Sequence, residues 1–142
     1  LVYCVGISHD SKFLITGSRD KSIKIFALHP ELEGSVILQE LCNKKFRDSV
    51  TAVTFARQYL NNSGQDNQYM FWIGLEDGMI ECFTFDAQLK AITSLGTLPD
   101  NLAHSKKVNR IVAGPQDSEG KTLVASCSDD HTLRLYSYAL TN

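Results

Sequence analysis

Long apolar runs are missing from this sequence. The most hydrophobic stretch, residues 69–75 (YMFWIGL), falls far short of the ~20 apolar residues that a membrane-spanning helix needs. No membrane helix and no membrane partner are therefore expected. Cysteine is sparse as well. Cys4, Cys42, Cys82 and Cys127 form no C-x-x-C pair and no zinc-like spacing, which argues against a metal site. Each lies in an apolar, strand-like stretch, where a reduced thiol behaves as a small hydrophobe. That usage points to the cytoplasm, and to the nucleus besides, rather than to an oxidising compartment. Excess charge of either sign is also absent. A net charge of -2 and a pI near 6.1 give no global basic field for nucleic acid, so any such contact has to come from a local patch. The first ten residues, LVYCVGISHD, carry no basic leader and no initiator Met, and read as the interior of something longer. What is present, 142 residues with 43% hydrophobic and 21% charged, matches one ordinary globular domain.

Self-similarity organises the chain. When Asp20, Asp77 and Asp130 are superimposed, Phe26, Phe83 and Tyr136 fall into register, each six positions later. Ile23, Ile80 and Leu133 coincide between them, as do Lys24, Glu81 and Arg134. Apolar residues alternate with polar ones in the first and third copies, the period of a β-strand, and the Asp sits in a short polar break that reads as a hairpin turn. Upstream, residues 2–8 (VYCVGIS), 50–56 (VTAVTFA) and 108–114 (VNRIVAG) supply a leading β-branched strand for each copy. FLITGS, MFWIGL and LVASCS follow as second strands, and residues 35–41 and 91–97 supply a fourth strand between copies. The third copy stops without one. The spacing exceeds the ~40–45 residues of a usual propeller repeat; the polar, Asn-rich residues 56–68 are the clearest insertion. No long helical pattern appears, so the class is all-β. Three four-stranded antiparallel units are expected, over residues 1–43, 44–98 and 99–142, the last lacking its outer strand.

A unit built as His, then Ser/Thr-x-Asp, then an aromatic six positions on, resembles the WD-repeat β-propellers. In that family a His ahead of the first strand, a Ser or Thr of the second, the turn Asp and a third-strand Trp form a hydrogen-bonded tetrad. The resemblance implies His104, Ser126 or Ser128, Asp130, and Tyr136 at the Trp position, in the last copy. It implies Ser18, Asp20 and Phe26 in the first. The middle copy keeps only Asp77, with Phe46 for His, Leu75 for Ser and Phe83 for Trp. A phenylalanine has no N–H to donate, so these units must lean on packing more than on the polar network. Four ordered stretches, SRDKSIKIF, SVTAVTFA with IGLEDGMIECF, LAHSKKVNRI, and GKTLVASCSDDHTLRLYSYAL, are similar to the C-terminal end of the WD-repeat subunit of Elongator complexes. That likeness implies the last three blades of a propeller.

Residues 114–122, GPQDSEGKT, come within one residue of the phosphate-cradling G-x-x-x-x-G-K-[ST] loop. Such a loop needs a helix N-terminus after it to meet the anion. Here KTLVASCSDD aligns with second strands, so the segment reads as a strand–strand turn and no nucleotide or other cofactor is expected. Of the four histidines, His104 is assigned to the tetrad, His131 to an exposed turn, and His9 and His29 to strand ends. Ser, His and Asp of the last copy read as structure, not as a hydrolytic triad, since nothing indicates an oxyanion hole.

Charge placement is more informative. In a propeller the loops that lead into first strands and the second-to-third-strand turns share one face. That face would collect Arg19, Lys21, Lys44, Lys45, Arg47, Lys106 and Lys107, a rim chemically suited to RNA phosphates or to an acidic protein surface. Asp20, Asp48, Asp77, Asp129 and Asp130 dilute it. The expected function is a non-enzymatic scaffold. The Elongator likeness implies the large scaffold subunit and the catalytic subunit as partners, in the modification of wobble uridine in transfer RNA. Direct contact of the basic rim with tRNA or tubulin is the rival reading, and a ubiquitin-ligase adaptor is the alternative within the scaffold class.

Overall fold

The computed structural model describes residues 1–31, 34–56, 67–99 and 103–139. Most of the expected insertion at 56–68 lies outside them. The described residues form eleven strands: β1 (Val2–Ile7), β2 (Phe13–Ser18), β3 (Ser22–Pro30), β4 (Val36–Lys45), β5 (Val50–Phe55), β6 (Gln68–Leu75), β7 (Ile80–Asp86), β8 (Ala91–Thr97), β9 (Val108–Gln116), β10 (Lys121–Ser128) and β11 (Leu133–Ala139). Among the described residues there is no helix. The strands pair, all antiparallel, into sheets β1-β2-β3-β4, β5-β6-β7-β8 and β9-β10-β11.

The three turn aspartates mark the same hairpin three times. Gly17 pairs with Ile23, Gly74 with Ile80 and Cys127 with Leu133. The turns close through Lys21 N to Ser18 O, Gly78 N to Leu75 O and His131 N to Ser128 O. Lys21, Gly78 and His131 all have positive φ, 73°, 94° and 66°, so each hairpin bends through a left-handed residue after a tight turn. The Asp carboxylate stabilises the bend by accepting from the backbone N–H two residues on: Ser22, Met79 and Thr132.

The sheets stack face to face through two apolar layers. Ile15, Ile23 and Ile25 of the first meet Val50, Val53, Phe55, Phe71 and Phe83 of the second. Met70, Trp72, Ile80 and Cys82 of the second share a layer with Val108, Ile111, Val124 and Tyr136 of the third. Each fully buried aliphatic or aromatic side chain contributes about 1.5–3 kcal/mol. The innermost strands lie side by side in the order β1, β5, β9 and line an open groove of about 570 Å³.

Two boundaries differ from expectation. β4 continues through Asn43, Lys44 and Lys45, so the first sheet passes residue 43 and those two lysines belong to a strand, not a loop. β9 runs through Pro115 to Gln116. Gln116 faces Thr122 and Ala113 faces Val124, so Gly114 and Pro115 together oppose Leu123 in a bulge, where a missing N–H is tolerated.

Candidate protein-interaction face

The second-to-third-strand turns and the leading loops meet on one face of the stack. Phe46 N donates to Lys21 O, and His104 N donates to Gly78 O. The same repeat appears one step away, where Arg19 N, Glu76 N and Asp129 N donate to Leu1 O, Ser49 O and Lys107 O. Each of the three second-to-third-strand turns is thereby stitched to a loop. Gly78 is required for this: a Cβ there would lie 2.1 Å from His104 O.

In the third sheet a polar network lies beneath the face. His104 Nδ1 lies 3.0 Å from Asp130 Oδ2 and 3.1 Å from Thr132 Oγ1, and Nε2 lies 2.8 Å from Ser126 Oγ. A carboxylate only accepts, so Nδ1 carries a proton. Thr132 Oγ1 donates to Asp130 Oδ1 at 2.5 Å, and Ser105 N donates to Oδ2 at 3.1 Å. The Thr132 hydroxyl foremost, with the Ser105 and Thr132 amides and His104, holds the Asp130 carboxyl well below the usual carboxylate range. His104 and Asp130 side chains are 0% and 6% exposed, so this Ser–His–Asp array offers no hydroxyl to a substrate. Tyr136 packs beside it. Burial pushes its phenol upward, the nearby Ser126 only partly offsetting that, and the hydroxyl reaches no hydrogen bond of regular geometry among the described residues.

Ser128 and Ser18 stand elsewhere. Ser128 Oγ donates to Lys106 O and accepts from Asp130 N; Ser18 Oγ likewise donates to Leu1 O and accepts from Asp20 N. They tie loop to turn and do not touch a histidine. Asp20 accepts from the Ser22 hydroxyl and amide. Phe26 is half-buried on the far side of the first sheet. In the middle sheet Arg47 Nε meets Asp77 Oδ2 at 2.9 Å, while Phe46 packs edge-on against Phe83, which stacks on Phe71. An exposed ion pair and an aromatic stack occupy the place of the polar network. The residues that sequence reasoning missed are Thr132 and Ser22, while Arg47, expected as a rim cation, pairs with Asp77. The first two are readable as Asp-x-Ser/Thr.

The seven basic residues of the rim do converge on this face, but not as an open cationic patch. Lys45 Nζ donates to Asp20 O at 2.9 Å. Arg47 is held by Asp77, Lys44 Nζ sits 5.9 Å from the Phe46 ring centre, and Lys107 is half-buried. Arg19, Lys21 and Lys106 are exposed. Glu81 lies under the middle of the rim, where burial raises its carboxyl and Arg47 and Lys44 oppose the shift. The groove opens on the same face. The innermost strands bulge at the same place in each sheet, at Tyr3, Thr51 and Asn109, and with Glu76 and Lys107 these line a mouth of about 270 Å³. The segment 114–122 forms no phosphate cradle. Asp117 Oδ1 accepts from Glu119 N and Lys121 N, Lys121 Nζ pairs with Glu119 at 2.9 Å, and Lys121 begins a strand instead of a helix. Burial also raises the thiols of Cys4 and Cys82, to about 11 and about 12, which keeps both protonated.

The pattern described as WD domain, G-beta repeat matches residues 2–26 and 92–137, half of the sequence. The chain belongs to the WD-repeat family. The unmatched stretch, residues 27–91, contains β5 to β7 of the middle repeat, where Phe46 and Arg47 stand in place of the histidine. Among curated proteins, the chain is 32% identical to Elongator complex protein 2 of Drosophila melanogaster over 99% of its own length and 17% of that protein. It is 28% identical to Elongator complex protein 2 of Dictyostelium discoideum over 92% of its length and 15% of that protein. The chain therefore spans about one sixth of the length of these relatives. Within the WD-repeat family, its three sheets are three successive propeller blades, the last with three strands.

Proposed function

We propose that this chain is part of a WD-repeat scaffold subunit of the Elongator complex. In this reading it carries no catalytic group and acts by holding the large scaffold subunit and the catalytic subunit together. Its contribution to wobble-uridine modification in transfer RNA is then architectural, in the cytoplasm and the nucleus. The observation that carries the reading is the 32% identity extending across 99% of the chain. The buried state of this Ser–His–Asp array supports the non-catalytic part, because a nucleophile needs access to its substrate. Loops and turns stitched on a rigid β frame suit presentation of side chains to protein partners.

The test is purification of the full-length polypeptide that carries this sequence, with mass spectrometry of its companions. Recovery of the other Elongator subunits is expected; their absence would remove the assignment and leave the fold untouched. Direct tRNA binding is separated by salt dependence. Replacing Lys44, Lys45, Lys106 and Lys107 by Ala should leave the log-affinity against log-salt slope for tRNA unchanged, since Lys45 donates to the Asp20 carbonyl, Lys44 lies against the Phe46 ring and Lys107 is half-buried. A slope flattened by about 0.9 for each duplex phosphate no longer neutralised, or about 0.7 on single strands, would favour phosphate recognition instead.

A further inference from the structure

The outer edges of the first two blades differ in a way that the propeller fold does not require. β4 and β8 occupy the same position, each paired on one side only, to β3 and β7. Both carry a bulge at the same rung, after Ile25 in one pair and after Cys82 in the other. Counting from that rung, Leu38 corresponds to Ile92, Ile37 to Ala91 and Val36 to Lys90. β8 stops at Ala91, with Lys90 already in a tight turn at positive φ. β4 goes one rung further, Pro30 facing Val36, and presents Val36, Ile37 and Leu38 at 54%, 51% and 52% exposure.

A natural edge strand is normally blunted by charge, proline or shortness, because its unpaired N–H and C=O groups template another strand. β4 has none of these devices at its apolar end. It spans Val36–Lys45 without proline. Its one carboxylate, Glu40, is matched from within the sheet by Lys24 at 3.6 Å, and Gln39 is held by His29 at 2.9 Å. Within β4 the charge that makes no ion pair among the described residues lies at the opposite end, on the exposed Lys44 and Lys45. The edge is thus apolar at one end and basic at the other.

We propose that β4 is a strand-addition site for an extended segment of a partner subunit. The inference rests on the assembly reading above and names one surface through which it acts. Main-chain pairing would supply affinity, and side chains at alternate positions would supply specificity. An added strand that continues the antiparallel pattern runs opposite to β4. Its first residues lie beside Lys44 and Lys45, its last beside Val36–Leu38. The segment that fits is acidic at its start and apolar, β-branched at its end.

The test uses the full-length polypeptide and two fluorescent peptides of one composition, one with the acidic residues ahead of an alternating Val/Thr run and one with them behind. The first peptide should bind at least tenfold more tightly, and Val36→Lys/Leu38→Lys should abolish the difference. Ser94→Lys on β8 serves as the control and should leave it intact. Equal binding of both peptides, or unchanged binding by the β4 variant, would overturn the proposal. Hydrogen exchange decides the source of the natural occupant. β4 amides should exchange at least tenfold more slowly in the purified complex than in the polypeptide alone. Equal protection in both states means that another segment of the same polypeptide covers the edge, or nothing does, and overturns the proposal. A failure of the assembly reading itself looks different: no companions are recovered with the unsubstituted protein.

Discussion

Asp20, Asp77 and Asp130 share one turn position, and each first satisfies its own hairpin by capping the amide two residues on. That local duty explains why all three are aspartate even though a single one reaches a histidine. The further bond from Asp130 to His104 converts a turn cap into a bridge between loop and sheet, and charge-assisted bonds of this kind are the strong ones. Because the Asp130 carboxyl lies below its ordinary value of 3.8 in the folded state, its ionised form stabilises the fold at neutral pH. That contribution is lost as the pH falls through and below the ordinary carboxylate range. Melting of the full-length polypeptide from neutral pH down to about 3 should therefore show a shallower acid loss of Tm for Asp130→Asn than for the parent. Parallel slopes would contradict the assignment. The WD-repeat resemblance implied His104, Asp130 and the aromatic at 136, and the first two are in hydrogen-bond contact. The choice between Ser126 and Ser128 was not legible in advance. By strand alternation both hydroxyls lie on the same side of β10, and it is Ser126 that reaches His104, whereas Ser128 bonds Lys106 O and Asp130 N. The use of Arg47 was equally hidden, because a residue beside the expected position does the pairing.

At the scale of strands and sheets, the layers between blades are set by close approach at two glycines. A Cβ on Gly17 would lie 2.6 Å from Val50 Cγ1 and from Cys4 Sγ, and one on Gly74 would lie 2.6 Å from Val108 Cγ1 and 2.7 Å from its Cβ. The two glycines hold the same position in successive hairpins, and the two valines open successive first strands, so one packing unit is used twice. The β-branched neighbour cannot rotate away, and overpacking of this kind costs about 1–3 kcal/mol. Gly74→Ala should destabilise the full-length polypeptide by about that amount in urea unfolding, and Val108→Ala in the same molecule should recover part of the loss. Strict additivity of the two would mean that the contact is not what fixes the layer. The strands themselves were readable from alternation and β-branching. Their ends were not, because Lys44 and Lys45 look like loop residues until a free edge accepts them, and Pro115 looks like a turn until a bulge on an edge strand removes the need for its N–H.

The whole molecule has a polarity that follows from the same repeat. The middle blade is covered on both sides, whereas the outer blades each keep one bare face. On the first, Val5 and Ile7 are 62% and 59% exposed; on the third, Val112, Leu123, Leu133 and Leu135 are 55–69% exposed. Pairing places Val112, Ala125 and Leu135 in one row across the third sheet, so these exposures form a continuous apolar face. Cys127 stands on it where Gly17 and Gly74 receive the valine of the next blade. Faces of this size are seldom left to water. The 142-residue chain by itself should accordingly sediment as concentration-dependent assemblies and unfold over a broad range. A monodisperse monomer with a sharp transition would refute this. Leu123→Lys with Leu135→Lys separates the cause from simple misfolding. In the isolated chain the pair should reduce self-association, because charge replaces the apolar row. In the full-length polypeptide the same pair should lower Tm, because a neighbouring blade would have to bury both ammonium groups without a partner.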